Sequence, residues 1–322
     1  MIEVGAQRSK FISVVCAVVA VLCFSCNDVG IKLLSGGYPL HQVVLLRTVI
    51  GMTILLLVLM PFNGGLDALR TSRLTLHICR GLCVVVANMC FFLALAAMPL
   101  ADAVAIFFIS PLLITLFSMI FLREEIGPYR WAAIAVGLIG VLIIMRPGTS
   151  TFQVASLLPL CAATGYAGLH ILTRKIGTTD SAVTMAFYIQ VTFLAVCLLF
   201  GAVIGDGRYA GNSDPSLTFL LRTWVWPDLR DLGLFLIIGV TSTIGGVMIS
   251  QAYRISEAAF IAPFEYIAIP ISIFWGVFLF GYWPDPVAWL GIGLITASGL
   301  FTVWRETTQK SEASSQTPKY RR

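Results

Sequence analysis

The sequence predicts an all-α integral membrane protein with ten transmembrane helices, arranged as two inverted five-helix repeats around a central cavity. The first observation behind this prediction is composition: of 322 residues, 58% are hydrophobic and 11% are charged, and the mean hydropathy is +0.91. A soluble domain carries about 25% charged residues, which it needs to cover its water-facing surface. Most of this chain must therefore be solvated by lipid.

The second observation is a set of ten apolar runs separated by polar segments. Each run is long enough to cross the hydrocarbon layer as a helix, which takes about 20 residues, and a backbone in lipid must satisfy its own hydrogen bonds. In the first half the runs are residues 11–34, 41–60, 77–97, 100–122 and 129–145. In the second half they are residues 152–173, 182–204, 229–253, 258–280 and 286–304.

The third observation is that the last two runs of each half follow the same layout. In both halves an acidic residue opens the fourth run, and prolines and a tryptophan lead into the fifth. The corresponding residues are Asp102, Pro128 and Trp131 in the first half and Glu257, Pro286 and Trp289 in the second. Five spans per repeat place the two halves in opposite orientations, which is the usual architecture of secondary transporters.

The runs divide the chain into a cytoplasmic N-terminus (1–10), a first five-helix repeat (11–148), a second five-helix repeat (152–304) and a cytoplasmic tail (305–322). We expect the tail to be disordered because it is polar and rich in Ser and Lys. Fourteen of the twenty-one Lys and Arg residues fall on the side that holds both termini, and five fall on the opposite side. This bias predicts that both termini lie in the cytoplasm. We expect the protein to be a multi-pass protein of the cell (inner) membrane.

Each half of the chain carries a set of motif residues. They are Pro111, Arg123-Glu124, Trp131, Gly137 and Gly140 in the first half, and Pro263-Phe264-Glu265-Tyr266, Phe280-Gly281, Trp289 and Gly291 in the second. These motifs resemble the EamA repeat of the drug/metabolite transporter superfamily. The resemblance covers residues 11–304 and implies ten helices in two inverted halves, a central cavity and alternating access. Tyr282 stands where the second repeat usually has a glutamate, so the terminal carboxylate is present only in the first repeat, at Glu124.

Two ionisable residues in the outer half of the predicted bundle are candidates for substrate binding. A charge at the bilayer centre costs about 2.5–3.5 kcal/mol, so each ionisable residue within a span is expected to have a partner or a function. Asp28 and Arg47 both lie about 9 Å inside the outer ends of their spans, and they either pair or face the cavity together. Alternatively, Lys32 pairs with Asp28 four residues away on the same helix, which leaves Arg47 for a substrate carboxylate or phosphate or for helix packing.

Two further ionisable residues lie near the cytoplasmic side. Glu265 is about 10 Å and His170 about 7 Å inside their spans, so the two can meet. A buried carboxylate and a histidine together form a proton-sensitive site; the alternatives are a structural pair or no contact. Glu265 is the first choice for a functional carboxylate.

Uncharged residues within the spans complete the candidate site. Ligand pockets are mostly apolar with a few placed polar groups, which suits an amphipathic metabolite. The binding candidates of this kind are Tyr266, Asn88, Phe108 and Gln190. Other polar and aromatic residues within the spans are Asn27, Tyr166, Phe91, Phe92 and Phe107. Asp102 and Glu257 are predicted to cap their helices instead.

These features predict a secondary transporter of a small organic metabolite, amino-acid-like or nucleotide-like, with S-adenosylmethionine as an example that the resemblance implies. The expected partners are this substrate, membrane lipid and, as a hypothesis, protons, with no cofactor, catalytic residue, metal site or nucleic acid. The protein is a monomer or a homodimer. An intramembrane enzyme and a passive channel are the alternatives; the three histidines fall on three distant spans, and no GxSxG or HExxH sequence is present.

Overall fold

The computed structural model describes residues 2–61, 65, 69–123, 127–149, 152–176, 180–211, 213–255, 261 and 264–316, and the regular structure in these ranges is helical. A π-helical turn (Leu55–Leu59) extends α2, and a 3₁₀ turn (Val154–Ser156) precedes α7. The helices are α1 (Ile2–Leu34), α2 (Leu40–Ile54), α3 (Leu74–Ala97), α4 (Leu100–Phe107), α5 (Ser110–Leu122), α6 (Pro128–Met145), α7 (Leu157–Ile176), α8 (Ala182–Ile204), α9 (Pro215–Leu221), α10 (Leu232–Ile255), α11 (Ala268–Phe280) and α12 (Pro286–Gln316).

Eight helical stretches of the described chain are long and apolar enough to cross a membrane, which confirms a multi-pass all-helical protein. They agree within a few residues with the first eight predicted runs. The stretches are Phe11–Leu34, Leu40–Val58, Leu74–Ala97, Leu100–Phe121, Pro128–Met145, Val154–Thr173, Val183–Ile204 and Leu232–Ala252, and the shorter apolar helices Ala268–Phe280 and Pro286–Thr302 occupy the last two runs. Most of residues 256–263, including Glu257 and its predicted cap, lies outside the described residues.

Two local predictions differ from the structure. Helix α12 continues to Gln316, past residue 305 where the sequence predicts a disordered tail; Glu, Gln, Lys and Ala in this segment are good helix formers. Asp102 lies in the first turn of α4, but Pro99 rather than Asp102 occupies the N-cap position. The carboxylate of Asp102 instead accepts a hydrogen bond of 2.9 Å from the hydroxyl of Tyr282, a long-range contact that local sequence does not reveal.

The most extensive contacts between helices of the two halves exchange with one another when each span of one half is replaced by the corresponding span of the other. Helix α1 packs on α10 as α7 packs on α3, and α2 packs on α10 as α8 packs on α3. The pairs α2–α8, α4–α11 and α6–α12 each map onto themselves under this exchange.

Helices α6 and α12 cross at a pair of glycines. A Cβ atom added to Gly140 would lie 2.9 Å from the carbonyl oxygen of Gly291, and one added to Gly291 would lie 2.8 Å from the carbonyl oxygen of Gly140. Small residues let helix backbones approach closely where lipid offers no hydrophobic driving force. Glycine is therefore required here because the two backbones are in contact.

The fourth span and the segment before α11 are both interrupted near the middle of the bundle. A turn at Phe108–Ile109 separates α4 from α5, and a turn at Tyr266–Ile267 precedes α11. Pro111 and Pro270 each lack the N–H that would bond to the carbonyl four residues earlier, which explains a break at each turn. The two breaks meet, because the rings of Phe108 and Tyr266 lie 5.1 Å apart.

Candidate functional site

An aromatic cluster surrounds the point where the two helix breaks meet. We define it as Phe91 on α3, Phe107 and Phe108 at the end of α4, Tyr166 and His170 on α7, and Tyr266 before α11. The separations between ring centroids are 5.2 Å for Phe91–Phe107, 6.1 Å for Phe107–Phe108, 5.1 Å for Phe108–Tyr266, 5.3 Å for Phe107–Tyr166 and 4.6 Å for Tyr166–His170. The rings are therefore continuous across elements of both halves.

The cluster has a buried layer and an accessible face. Phe91, Phe108 and Tyr266 are 7%, 8% and 4% exposed and form the buried layer. Phe107, Tyr166 and His170 are half-buried. The cluster therefore combines rings that are covered by protein with rings that retain accessible surface.

Glu265 adds a carboxylate to this face. Its charge acts electrostatically on both Tyr166 and Tyr266, and its side chain is half-buried. The ring of Tyr166 also contacts His170, so Tyr166 joins the two residues that the sequence predicts to meet. Asn88, another predicted candidate, is half-buried on α3, one turn before Phe91 and Phe92.

Arg47, on α2, lies at the centre of a second group of residues. The other members of this group come from α1, α3 and α8. Its guanidinium carbon is 5.1 Å from the ring centroid of Phe92 and 5.2 Å from that of Phe193, and Arg47 is 6% exposed. Both separations are within the range of a cation–π interaction. The two rings therefore cover the guanidinium on its faces.

Asn27 connects Arg47 with Asp28. The Asn27 amide nitrogen donates to a carboxylate oxygen of Asp28 at 3.2 Å, and the Asn27 amide oxygen accepts from Arg47 at 3.5 Å. The charges of Asp28 and Arg47 also interact electrostatically. The sequence predicts that Asp28 interacts either with Arg47 or with Lys32. In the structure Asp28 is connected to Arg47, through the side-chain amide of Asn27.

Lys32 has different partners from those considered on sequence grounds. Its ammonium donates to the carbonyl oxygens of Leu95 at 2.5 Å and Met98 at 2.8 Å, where α3 ends, and lies 5.4 Å from the ring of Phe280. A cation at a helix C-terminus satisfies carbonyls that have no partner within the helix. The predicted alternative in which Lys32 pairs with Asp28 is therefore wrong.

Gln190 lies beside this group rather than in the aromatic cluster. A Cβ atom on Gly51 would be 2.5 Å from the amide nitrogen of Gln190 and 2.6 Å from the hydroxyl of Thr243, so these side chains pack against the α2 backbone. Gly51 is four residues after Arg47 and shares its helix face.

The eight predicted candidates thus fall into two groups. Tyr266, Phe108, His170, Glu265 and Asn88 lie in or near the aromatic cluster, and Asp28, Arg47 and Gln190 lie around the guanidinium.

Gly299 on α12 makes room for Tyr266. A Cβ atom at Gly299 would overlap the hydroxyl and ring of Tyr266, which is itself buried. We expect Gly299→Ala to lower the thermal midpoint of unfolding and to displace the ring that packs on Phe108. Tyr266→Leu in the same chain removes the overlapping atoms, so the double variant should be more stable than Gly299→Ala alone. Differential scanning fluorimetry on purified protein tests this, and a double variant as unstable as the single one would contradict it.

Comparison with known proteins identifies the family of this chain. The profile of the EamA-like transporter family matches residues 11–146. The chain is 30% identical over 279 residues, or 86% of its length and 87% of the relative, to a riboflavin transporter of Vibrio cholerae. It is 27% identical over 257 residues to an S-adenosylmethionine uptake transporter of Rickettsia prowazekii, covering 79% of this chain and 81% of the relative.

Two other comparisons extend over most of the chain. A pseudopaline exporter of Pseudomonas aeruginosa is 30% identical over 287 residues, which is 88% of this chain and 93% of the exporter. One crystal structure has the same fold, with a TM-score of 0.61 and 18% sequence identity over 95% of this chain and 98% of that one. The relatives are transporters of small molecules rather than enzymes. This chain belongs to the EamA-like transporter family of the drug/metabolite transporter superfamily.

Proposed function

We propose that this protein is a secondary transporter that moves a small organic metabolite, amino-acid-like or nucleotide-like, across the inner membrane by alternating access. The observation that carries the proposal is the meeting of two interrupted helices, one from each half, at Phe108 and Tyr266. Transporters built from inverted repeats place the substrate at such discontinuous helices near the bilayer midplane. Both termini lie in the cytoplasm in this proposal, and Glu265 with His170 is the hypothetical proton site.

The symmetric packing of the helices supports two inverted five-helix halves as the moving units. Polar contacts join the first half to the second at the side opposite the termini. Asp285 accepts from the guanidinium of Arg146, Asp231 accepts from the hydroxyl of Tyr38 at 2.6 Å, and the Gln42 side chain bonds both backbone groups of Val225. With the contact between Tyr282 and Asp102, these bonds hold the outer ends of the halves together.

A corresponding contact lies at the cytoplasmic ends. Asp180, in the connection between α7 and α8, accepts from the hydroxyl of Thr71 at 2.7 Å and lies 2.6 Å from the imidazole of His77. These two hydrogen bonds lower the pKa of Asp180, which therefore stays ionised at neutral pH. Alternating access requires the outer and the cytoplasmic contacts to break in different steps.

The contact between Arg146 and Asp285 provides a test of the outer closure. Hydrogen bonding to Arg146 lowers the pKa of Asp285, so the pair is charged at neutral pH. Asp285→Asn removes one charge, and because the pair is partly exposed, we expect a modest shift of about 0.2–1 kcal/mol toward outward opening. Hydrogen–deuterium exchange should become faster at residues 146–149 and 282–288.

Asp206→Asn is the matched control for Asp285→Asn. Asp206 pairs with Arg208 two residues away in the same outer segment, so this ion pair does not join the two halves. Its loss should leave exchange at residues 146–149 unchanged. Equal exchange in the wild type and in Asp285→Asn would show that the Arg146–Asp285 pair does not hold the outer side closed.

Transport itself is tested in proteoliposomes loaded with a mixed metabolite pool, with mass spectrometry of the contents over time. The proposal expects selective, saturable movement of a few compounds and counterflow when one of them is present on both sides. An imposed pH gradient changes the rate if protons drive transport. Unsaturable flux would favour a passive channel, chemical conversion of a compound would favour an enzyme, and no selective flux from folded protein would overturn the proposal.

A further inference from the structure

We propose that two sets of contacts made by corresponding elements of the two halves act as latches, one on each side of the membrane, and that each latch opens only while the other is closed. The inference rests on the proposed transport function and names the residues that control access from each side. The outer latch joins residues 222–231, before α10, to residues 35–42. The cytoplasmic latch joins residues 69–73, before α3, to Lys175, Ile176, Asp180 and Tyr188.

In each latch an arginine that precedes the third span of one half binds the carbonyl end of the first span of the other half. Arg73, directly before α3, donates to the carbonyl oxygens of Lys175 at 3.0 Å and Ile176 at 3.2 Å, where α7 ends. Arg222, in the segment before α10, donates to the carbonyl oxygen of Ser35 at 3.1 Å, directly after α1. Carbonyls at a helix C-terminus lack partners within the helix, so a guanidinium from the other half stabilises them.

In each latch a side chain of the second span also binds the backbone of the segment that carries the arginine. On α2, the Gln42 side chain accepts from the backbone N–H of Val225 at 3.1 Å and donates to the carbonyl oxygen of the same residue. On α8, the hydroxyl of Tyr188 donates to the carbonyl oxygen of Leu69 at 2.9 Å. The two side chains differ in type, but each binds a segment that has no regular helix of its own to satisfy these backbone groups.

The connection between the first and second spans supplies the third contact of each latch. The hydroxyl of Tyr38, between α1 and α2, donates to the carboxylate of Asp231 at 2.6 Å and accepts from the N–H of Asp228 at 3.0 Å. Asp180, between α7 and α8, accepts from the hydroxyl of Thr71 at 2.7 Å. These three contacts of the outer latch therefore each have a counterpart in the cytoplasmic latch, made by the corresponding elements.

The two halves also touch midway between the latches. A Cβ atom added to Gly165, near the middle of α7, would lie 3.0 Å from the carbonyl oxygen of Cys83 and 3.2 Å from the backbone nitrogen of Ala87, near the middle of α3. The two backbones are therefore in contact at this crossing. Two bodies that touch at a fixed central point separate at one end while they approach at the other, which makes the two latches reciprocal.

The same kind of substitution at both ends tests the inference. The outer variant combines Tyr38→Phe with Gln42→Met, and the cytoplasmic variant combines Tyr188→Phe with Thr71→Val. Each removes polar groups of one latch and nearly preserves side-chain volume. Hydrogen–deuterium exchange of the full-length protein in lipid nanodiscs is followed at residues 222–231 and 73–77.

We expect each variant to speed exchange at its own latch by about tenfold or more, because two hydrogen bonds that hold it closed are lost. Exchange at the opposite latch should become slower than in the wild type, because time spent open on one side is time during which the other side is closed. A contact of purely local importance would change exchange at its own end only. Unchanged or faster exchange at the opposite latch would therefore overturn the reciprocal coupling.

Tyr129→Phe is the matched control for the tyrosine substitutions. Tyr129 is 54% exposed, and its hydroxyl makes no hydrogen bond to the residues that the structure describes, so exchange at both latches should stay as in the wild type. If a latch variant does not fold, Arg73→Gln and Arg222→Gln replace the pair, because neither arginine is buried. These two variants carry the same expected result and the same contradicting one.

The failure of this inference is distinguishable from failure of the proposed function. Selective flux of compounds through the wild type, with exchange at the two latches independent of each other, would leave a transporter that is controlled by other residues. Reciprocal exchange without flux of any compound would support the latches and contradict transport.

Discussion

Replacing Gly291 with alanine is expected to lower the stability of the protein by about 1–3 kcal/mol, because the added methyl group overfills a tight helix crossing. Its Cβ atom would lie 2.8 Å from the carbonyl oxygen of Gly140 and 2.5 Å from Cγ1 of Ile144. A backbone carbonyl cannot move aside as a flexible side chain can. Helices α6 and α12 would have to separate, which loses contacts along the whole crossing.

Gly293 supplies the matched control for this variant. It lies on the same helix two residues later, and a Cβ atom built there meets no heavy atom within 4 Å apart from its own stretch of helix backbone. Gly293→Ala should therefore leave the thermal midpoint unchanged or raise it slightly, since alanine is the better helix former. Gly140→Ala should resemble Gly291→Ala. Equal midpoints for Gly291→Ala and Gly293→Ala would show that the close crossing does not exist in the membrane.

Replacing Arg47 with leucine is expected to have the largest effect among the charged residues. The guanidinium is nearly fully buried between two rings and interacts with Asp28 through Asn27. Its removal leaves a carboxylate deep in the bundle without a cation, and breaking a buried pair in this way costs about 3–5 kcal/mol. Expression as monodisperse protein and the thermal midpoint of unfolding measure the loss.

A second substitution distinguishes a structural role of this group from a functional one. Replacing both members of a buried ion pair by apolar residues is often neutral, so Asp28→Leu with Arg47→Leu should recover most of the stability lost in Arg47→Leu. If the double variant folds and still transports, the pair is structural. If it folds and does not transport, the pair takes part in transport. A double variant less stable than Arg47→Leu alone would contradict the electrostatic link between the two residues.

The sequence predicted which segments cross the membrane because that property is local. An apolar run of sufficient length must form a helix in lipid whatever its neighbours are, so runs such as 11–34 and 129–145 agree with helices of the structure to within a few residues. The error at residue 305 also comes from local composition. The segment is polar, which predicts disorder, but helix α12 continues through it.

The candidate site was predictable only in part. Asp28, Arg47, His170 and Glu265 were identified because ionisable residues within apolar spans are costly and need a partner or a role. The position of Phe193 over Arg47 had no signal in the sequence, because a phenylalanine in an apolar run is ordinary and its partner is about 150 residues away. The signal for Phe107 and Tyr166 was similarly weak, since aromatic residues in spans more often face lipid or the core.

The sequence by itself determined that this chain is a membrane protein, where its first eight spans lie to within a few residues, and which few charges enter the apolar interior. These properties follow from hydropathy and desolvation, which act on each segment separately. The tertiary structure decided which partners those charges have. Lys32 lies one helical turn from Asp28 yet bonds to the end of α3, and Asp102 bonds to Tyr282 across 180 residues of chain. Such choices depend on the crossing of helices from opposite halves, which brings together side chains that no local pattern relates.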